Sequence, residues 1–173
     1  REIMNSLENE SITRLPLLSD LEIEELINKW NDTKADYPND KTIHQLFEEQ
    51  VKKTPANIAL IYENIKLTYS ELNIKANKLA NYLKRQYKIT PDTLILLCLD
   101  RNESMLVCIL GILKAGGAYV PIDPTYPDQR IKEIVQDINI SNKKKRIINT
   151  LIIVNEIYKE RLEKIGDDIE VVV

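Results

Sequence analysis

A chain of 173 residues, 43% hydrophobic and 29% charged, is long enough for one modest domain with a real core. Its 24 Lys and Arg against 27 Asp and Glu give a formal net charge of −3, and no long segment is dominated by basic residues, which excludes a nucleic-acid surface. No apolar run reaches the roughly 20 residues a membrane helix needs and no signal peptide is visible, so neither a membrane nor a secretory route is expected.

Residues 1–18 are polar and loose in pattern. Ser19 with Glu22 then makes a capping box for a short helix expected to bury Ile23, Leu26, Ile27 and Trp30. This stripe has no partner in its own segment, so the helix is expected to dock on the α/β body, with Trp30 as its anchor, and to fix the angle of an upstream domain. Residues 31–41 read as a linker. Thr42 with Gln45 opens a second helix, with Ile43, Leu46, Phe47 and Val51 on one side, which ends before Pro55. The runs 58–62 and 65–68, separated by Glu63-Asn64, predict a β-hairpin. Thr68 with Glu71 caps a long amphipathic helix carrying Leu72, Ala76, Leu79, Ala80 and Leu83.

From residue 94 the pattern changes from one-sided to fully buried. Residues 94–99 are almost wholly apolar, as expected of a parallel strand covered on both faces. The helix predicted over 103–115 is apolar nearly all round, so it belongs between layers. Lys114 suits the end of a helix dipole, and Gly116 and Gly117 supply the freedom a helix exit requires. A strand over 118–122 follows, closed by Pro124 and Pro127, with Thr125 placed to cap a helix burying Ile131, Ile134, Val135 and Ile138. A strand at 150–154, a helix at 156–165 and a strand at 169–173 repeat the theme, so the class is α/β, a layered sheet with flanking helices.

Little of this chain carries chemistry. It has no Gly-rich phosphate loop, metal-ligand cluster or Ser/His/Asp set in motif-like context. His44 sits on a helix beside the linker in a structural position, and Asp123, between two prolines, terminates a strand and accepts turn amides. Tyr119 and Tyr126 read as packing residues, and the basic run Lys143 to Arg146 as a solvated turn. Cys98 and Cys108 fall in apolar elements and read as small buried hydrophobes, neither a disulfide nor a metal pair, which fits a reducing cytoplasm. The chain starts at Arg1 and stops inside a strand-like run, as expected of a piece of a longer polypeptide.

The run Leu113-Lys114-Ala115-Gly116-Gly117-Ala118-Tyr119-Val120-Pro121-Ile122-Asp123-Pro124-Thr125-Tyr126-Pro127, continued by Arg130-Ile131, closely resembles the second core motif of amino-acid adenylation domains in nonribosomal peptide synthetases. Leu67-Thr68-Tyr69-Ser70-Glu71-Leu72, followed by Ala76, Asn77, Leu79 and Ala80, resembles the first core motif. Leu15-Pro16-Leu17-Leu18-Ser19, Trp30-Asn31-Asp32-Thr33, Tyr37-Pro38 and Ile43-His44-Gln45-Leu46-Phe47-Glu48 are similar to the segment joining a condensation domain to the adenylation domain after it. The resemblance runs from around Thr13 to Ile140, where the family's usual Asp-Ser is replaced by Ile140-Ser141-Asn142.

The resemblance implies an interdomain linker with a short amphipathic helix over 1–41 and, over 42–173, the truncated N-terminal portion of the large subdomain of an adenylate-forming enzyme. It implies ATP and Mg²⁺ as cofactors of the intact domain, which makes an aminoacyl-adenylate, and phosphopantetheine on a partner carrier domain. No cofactor is expected on this stretch alone. The family's phosphate loop, amino-acid pocket, ribose-binding Asp and catalytic Lys lie downstream of both motifs, so no catalytic, cofactor-binding or metal residue is assigned here. Expected partners are an upstream condensation domain, the rest of the adenylation domain and the carrier domain, besides self-association through the cut surface around 94–99, 150–154 or 169–173. The alternatives are a fragment of an acyl-CoA or aryl ligase, and a non-catalytic interaction module reusing the fold.

Overall fold

The structure, a computed structural model, describes residues 18–87, 89–144, 149–166 and 168–173. The expectations for Leu15-Pro16-Leu17 and for Lys145 and Arg146 lie outside the described residues. The chain divides into two compact units, Arg1–Asp40 and Lys41–Val173.

In the first unit the Ser19 box forms as expected: the Ser19 N–H donates to Glu22 Oε2 at 2.8 Å and the Glu22 N–H to Ser19 Oγ at 3.4 Å. Helix α1, Asp20–Ile23, widens into a π-helical stretch, Glu24–Lys29. Asn31 then donates its side-chain amide to the Leu26 and Ile27 carbonyls at 3.0 and 2.8 Å, ending the helix and releasing the linker. The burial expected of Ile23, Leu26, Ile27 and Trp30 is not met. Neither helical piece buries a residue, and Trp30 is 66% exposed. Among the described residues of this unit no second layer packs on the helix.

The second unit opens with α2, Ile43–Lys53, whose Thr42 N–H is held by Gln45 Oε1 at 2.8 Å. The apolar stripe expected on α2 is only partly used: Phe47 packs inward while Ile43 is 73% exposed. Strands β1, Ile58–Tyr62, and β2, Ile65–Thr68, form the predicted hairpin, with Leu60 opposite Leu67 and Tyr62 opposite Ile65. Thr68 and Glu71 close their box at the start of α3, Tyr69–Gln86, which buries Leu72, Ala76, Ala80 and Leu83 along one stripe.

A four-stranded parallel sheet forms the centre: β3 (Thr93–Cys98), β4 (Gly117–Pro121), β5 (Thr150–Val154) and β6 (Ile169–Val172), in the order β4-β3-β5-β6. Its period-two alternation sorts two cores. Ile95, Leu97, Leu151 and Ile153 pack with Leu83 of α3 and with Cys108 and Ile112 of α4, Glu103–Ala115. Leu96, Cys98, Ile152 and Val154 pack on the other face with Ile131, Val135 and Ile138 of α5, Asp128–Lys144, and Leu162 of α6, Lys159–Glu163. Helix α4 is covered on both sides, because Leu110 joins a third cluster with Leu67, Leu72 and Ala76. Each such buried Leu or Ile contributes about 1.5–3 kcal/mol.

Three further details differ from the sequence expectations. Thr125 does not cap α5: its hydroxyl donates to Asp123 at 2.7 Å, and the first turn instead hangs on the Pro127 carbonyl, which accepts from the Arg130 and Ile131 N–H groups. Asp123, two residues away, captures the hydroxyl first. The helix expected over 156–165 is broken into a 3₁₀ turn, Glu156–Tyr158, and the five residues of α6. Finally, the strands over 94–99 and 150–154, expected to contribute to an association surface, are inner strands and largely buried, and among the described residues the sheet's edges are β4 and β6.

Candidate functional site

The loops leaving the carboxyl ends of the strands part around β3, which leads to α4 on one face while β4 and β5 lead to α5 and α6 on the other. Open α/β sheets form their ligand crevices at such a switch. A cleft of about 450 Å³ opens there, lined by Asp100, Arg101, Met105, Asp123, Thr125, Tyr126 and Tyr158 among others.

Its rim is fixed by hydrogen bonds. The Asp100 N–H donates to Asn155 Oδ1 at 2.7 Å, and the Tyr158 hydroxyl donates to Asp100 Oδ1 at 2.8 Å, joining the loops after β3 and β5. Asp123 Oδ1 accepts the Thr125 N–H at 2.8 Å. Arg161 of α6 ties down the loop after β4: Nε donates to Asp128 Oδ1 at 2.8 Å, Nη1 to the Pro124 carbonyl at 2.5 Å and Nη2 to the Tyr126 carbonyl at 2.6 Å.

These bonds set the electrostatics. The Thr125 hydroxyl, its amide and, more weakly, Arg101 hold the Asp123 carboxyl below its usual range. Donation to Asp100 raises Tyr158. Burial pushes the Cys98 and Cys108 thiols up to about 11, so both stay protonated and unreactive at neutral pH. The cleft offers acceptors, hydroxyls and the Arg101 cation, a set suited to holding loops and small polar groups.

Of the residues weighed from sequence, Asp123 behaves as expected, as a turn acceptor, and Tyr126 joins it at the cleft. Tyr119 on β4 is 39% exposed, and His44 lies at the start of α2, its Nε2 3.1 Å from Thr42 Oγ1. Among the described residues no group of three His, Cys, Asp or Glu is placed to hold a metal ion. Sequence reasoning missed Asp100, Arg101, Asn155, Tyr158 and Arg161. The available signal was positional: the first three follow closely on strand ends.

The two core motifs acquire physical roles. Gly116 ends α4 at φ +94°, a left-handed position, donating its N–H to the Ile112 and Leu113 carbonyls. A Cβ on Gly117 would lie 3.2 Å from the Thr93 carbonyl and 3.1 Å from Ile95 Cδ1, so this close seating of β4 on β3 suits glycine. Lys114 donates to Glu48 of α2 and to Asn73 of α3, the latter at 2.9 Å, while Tyr69 sets its ring 5.9 Å from that of Phe47.

The family described as "AMP-binding enzyme" matches residues 47–142, a span holding both motifs and the β3–β4 side of the cleft, and the chain belongs to that family. It is 52% identical to bacitracin synthase 3 of Bacillus licheniformis over 130 residues, 75% of this chain and 2% of that protein. Gramicidin S synthase 2 of Brevibacillus brevis is 49% identical over 126 residues, 73% of this chain and 3% of that one. Thus the chain spans only a few per cent of the curated relatives it matches. Among solved structures, the fold matches the nonribosomal peptide synthetase FmoA3 in its alpha-methyl-L-serine-AMP bound form, with a TM-score of 0.69 at 24% identity, over 84% of this chain and 15% of that chain. The N-terminal subdomain of Klebsiella oxytoca NpsA matches with a TM-score of 0.58 at 23% identity, over 68% of this chain and 28% of that one.

Proposed function

We propose that this chain is the N-terminal scaffold of an amino-acid adenylation domain of a nonribosomal peptide synthetase, preceded over 1–41 by the linker from a condensation domain. The intact domain would join an amino acid to ATP with Mg²⁺, release pyrophosphate, and pass the acyl group from the aminoacyl-adenylate to the phosphopantetheine thiol of a carrier domain, in the cytoplasm. The observation that carries this is the run from Leu113 to Ile131, which lies inside the AMP-binding match of a chain that is 52% and 49% identical to two peptide synthases over 75% and 73% of its length. Relatives of that kind favour a peptide synthetase over a free acyl-CoA or aryl ligase. The division at Asp40 and Lys41 supports the linker boundary.

The cleft does not fit ATP by itself. Asp100 and Asp123 put carboxylates beside one lining cation, Arg101, and a triphosphate needs clustered donors and positive charge. The role of this chain is to hold the sheet on which the rest of the domain builds the site. The test is amino-acid-dependent exchange of pyrophosphate into ATP: none from this chain, robust exchange once the polypeptide is extended through the full domain. Exchange by this chain alone, or none by the extended one with any amino acid, would overturn the reading.

A further inference from the structure

Lys114 is a charged side chain held in the core layer, its side chain 5% exposed. It donates to Glu48 on α2 and to Asn73 on α3, with its ammonium 5.9 Å from the Phe47 ring centroid. Helix α2 itself contributes no buried residue, and Phe47 is its packing contact with the cluster of Leu67, Leu72, Ala76 and Leu110. A second ion pair of α2, Lys41 with Glu49 at 2.7 Å, stays within the segment. Just past α2 the chain is fastened, because the Ser70 and Tyr69 N–H groups donate to the Pro55 and Asn57 carbonyls, both at 3.0 Å.

We infer that α2 is a detachable latch: it swings off the α/β body as one unit about residues 54–55, and the Lys114–Glu48 pair is its clasp. Elements with few buried apolar contacts are those that open at least cost in free energy. Opening separates the charge pair, whose two groups water then solvates, and one apolar contact, the partly buried Phe47 ring against its cluster. Helix α2 follows the linker directly, so reorientation of the leader reaches this helix before any other.

Hydrogen exchange read by mass spectrometry on the whole chain tests this. Amides of 43–53 should exchange through an opening that α3 and α4 do not share. Glu48→Gln should speed that exchange roughly fivefold or more, with α3 and α4 unchanged, because the acceptor at the joint loses its charge while keeping its shape. Lys114→Met should act in the same direction. Should Lys114→Met unfold the body, Glu48→Gln decides alone, since that side chain is 43% exposed and replaceable without a cavity. Exchange of α2 at the rate of α3 and α4 in the unaltered chain, or no acceleration in Glu48→Gln, overturns the latch.

Discussion

Asn142 pairs with Leu94 as a neighbouring strand would: its Oδ1 accepts the Leu94 N–H at 3.2 Å and its Nδ2 donates to the Leu94 carbonyl at 3.0 Å. Pairing of β3 with β5 begins at Leu96 opposite Ile152, so the Leu94 backbone lies beyond the ladder and a side chain from α5 completes it. Asn142 is 1% exposed, and its amide also reaches Thr150 Oγ1 at 3.4 Å. Asn142→Leu should therefore destabilise the domain by about 1–3 kcal/mol for each backbone group left without a partner. The expected reading is a lower urea midpoint at unchanged slope. A loss under about 0.5 kcal/mol would mean that water serves Leu94 equally well.

Helices α3 and α4 approach closely at Gly111, where an added Cβ would lie 2.7 Å from Leu79 Cδ2 and 3.0 Å from Leu79 Cβ. The second atom belongs to the root of the side chain, so a rotamer change does not relieve the clash. Gly111→Ala gains helix propensity but should still destabilise by about 1–3 kcal/mol through overpacking. Thermal melting of the variant with a Leu79→Ala background checks the cause, since the smaller neighbour should restore most of the loss.

Acid should weaken the fold in a defined window. Backbone and side-chain hydrogen bonds from Thr68 lower Glu71 from its ordinary 4.5, and the hydrogen bond from Lys114, with weaker fields from Lys114, His44 and Lys52, lowers Glu48. A carboxyl with a depressed native pKa contributes stability that is present above its unfolded value and lost as pH falls through the folded one. Urea midpoints should stay level from neutrality to about pH 5 and fall below about pH 4.5. A midpoint unchanged between pH 5 and pH 3 would contradict these caps and pairs.

Strand β6 pairs with β5 on one side, and among the described residues no strand lies on the other. Such an edge templates another chain unless it is covered. The isolated chain should therefore self-associate with rising concentration, and amide protection should grow at Ile169–Val172 and not in the inner strands. Light scattering over a concentration series, combined with hydrogen exchange, measures both. A monodisperse monomer at high concentration would remove the edge as the cause.

The elements most legible in the sequence are those whose ends are made by local chemistry. Ser19 with Glu22, Thr42 with Gln45 and Thr68 with Glu71 each mark a helix start within one turn, and the hairpin follows from Glu63-Asn64, with Glu63 at φ 50°. What escaped depends on partners distant in sequence. The strand order, the run of α5 on through Asn142 to Lys144, and the rim of Asp100, Asn155 and Tyr158 all rest on contacts that no local pattern encodes. The cleft was half legible: Asp123 was found because its turn is local, while Arg161 was not, because it reaches Pro124 across 37 residues.

Strand order also sets a timetable for synthesis. β3 is made first yet ends in the middle of the sheet, and the loop after it waits for Asn155, which is 55 residues later than Asp100. At roughly 5–20 residues per second, the ribosome leaves that interval open for about 3–11 s. Through those seconds the nascent chain carries β4 along one edge of β3, α3 and α4 on one face and α5 on the other, while the edge that β5 will take has no strand on it. The sheet therefore closes late, and its slow step is the return of the chain across β3 and not the making of any helix.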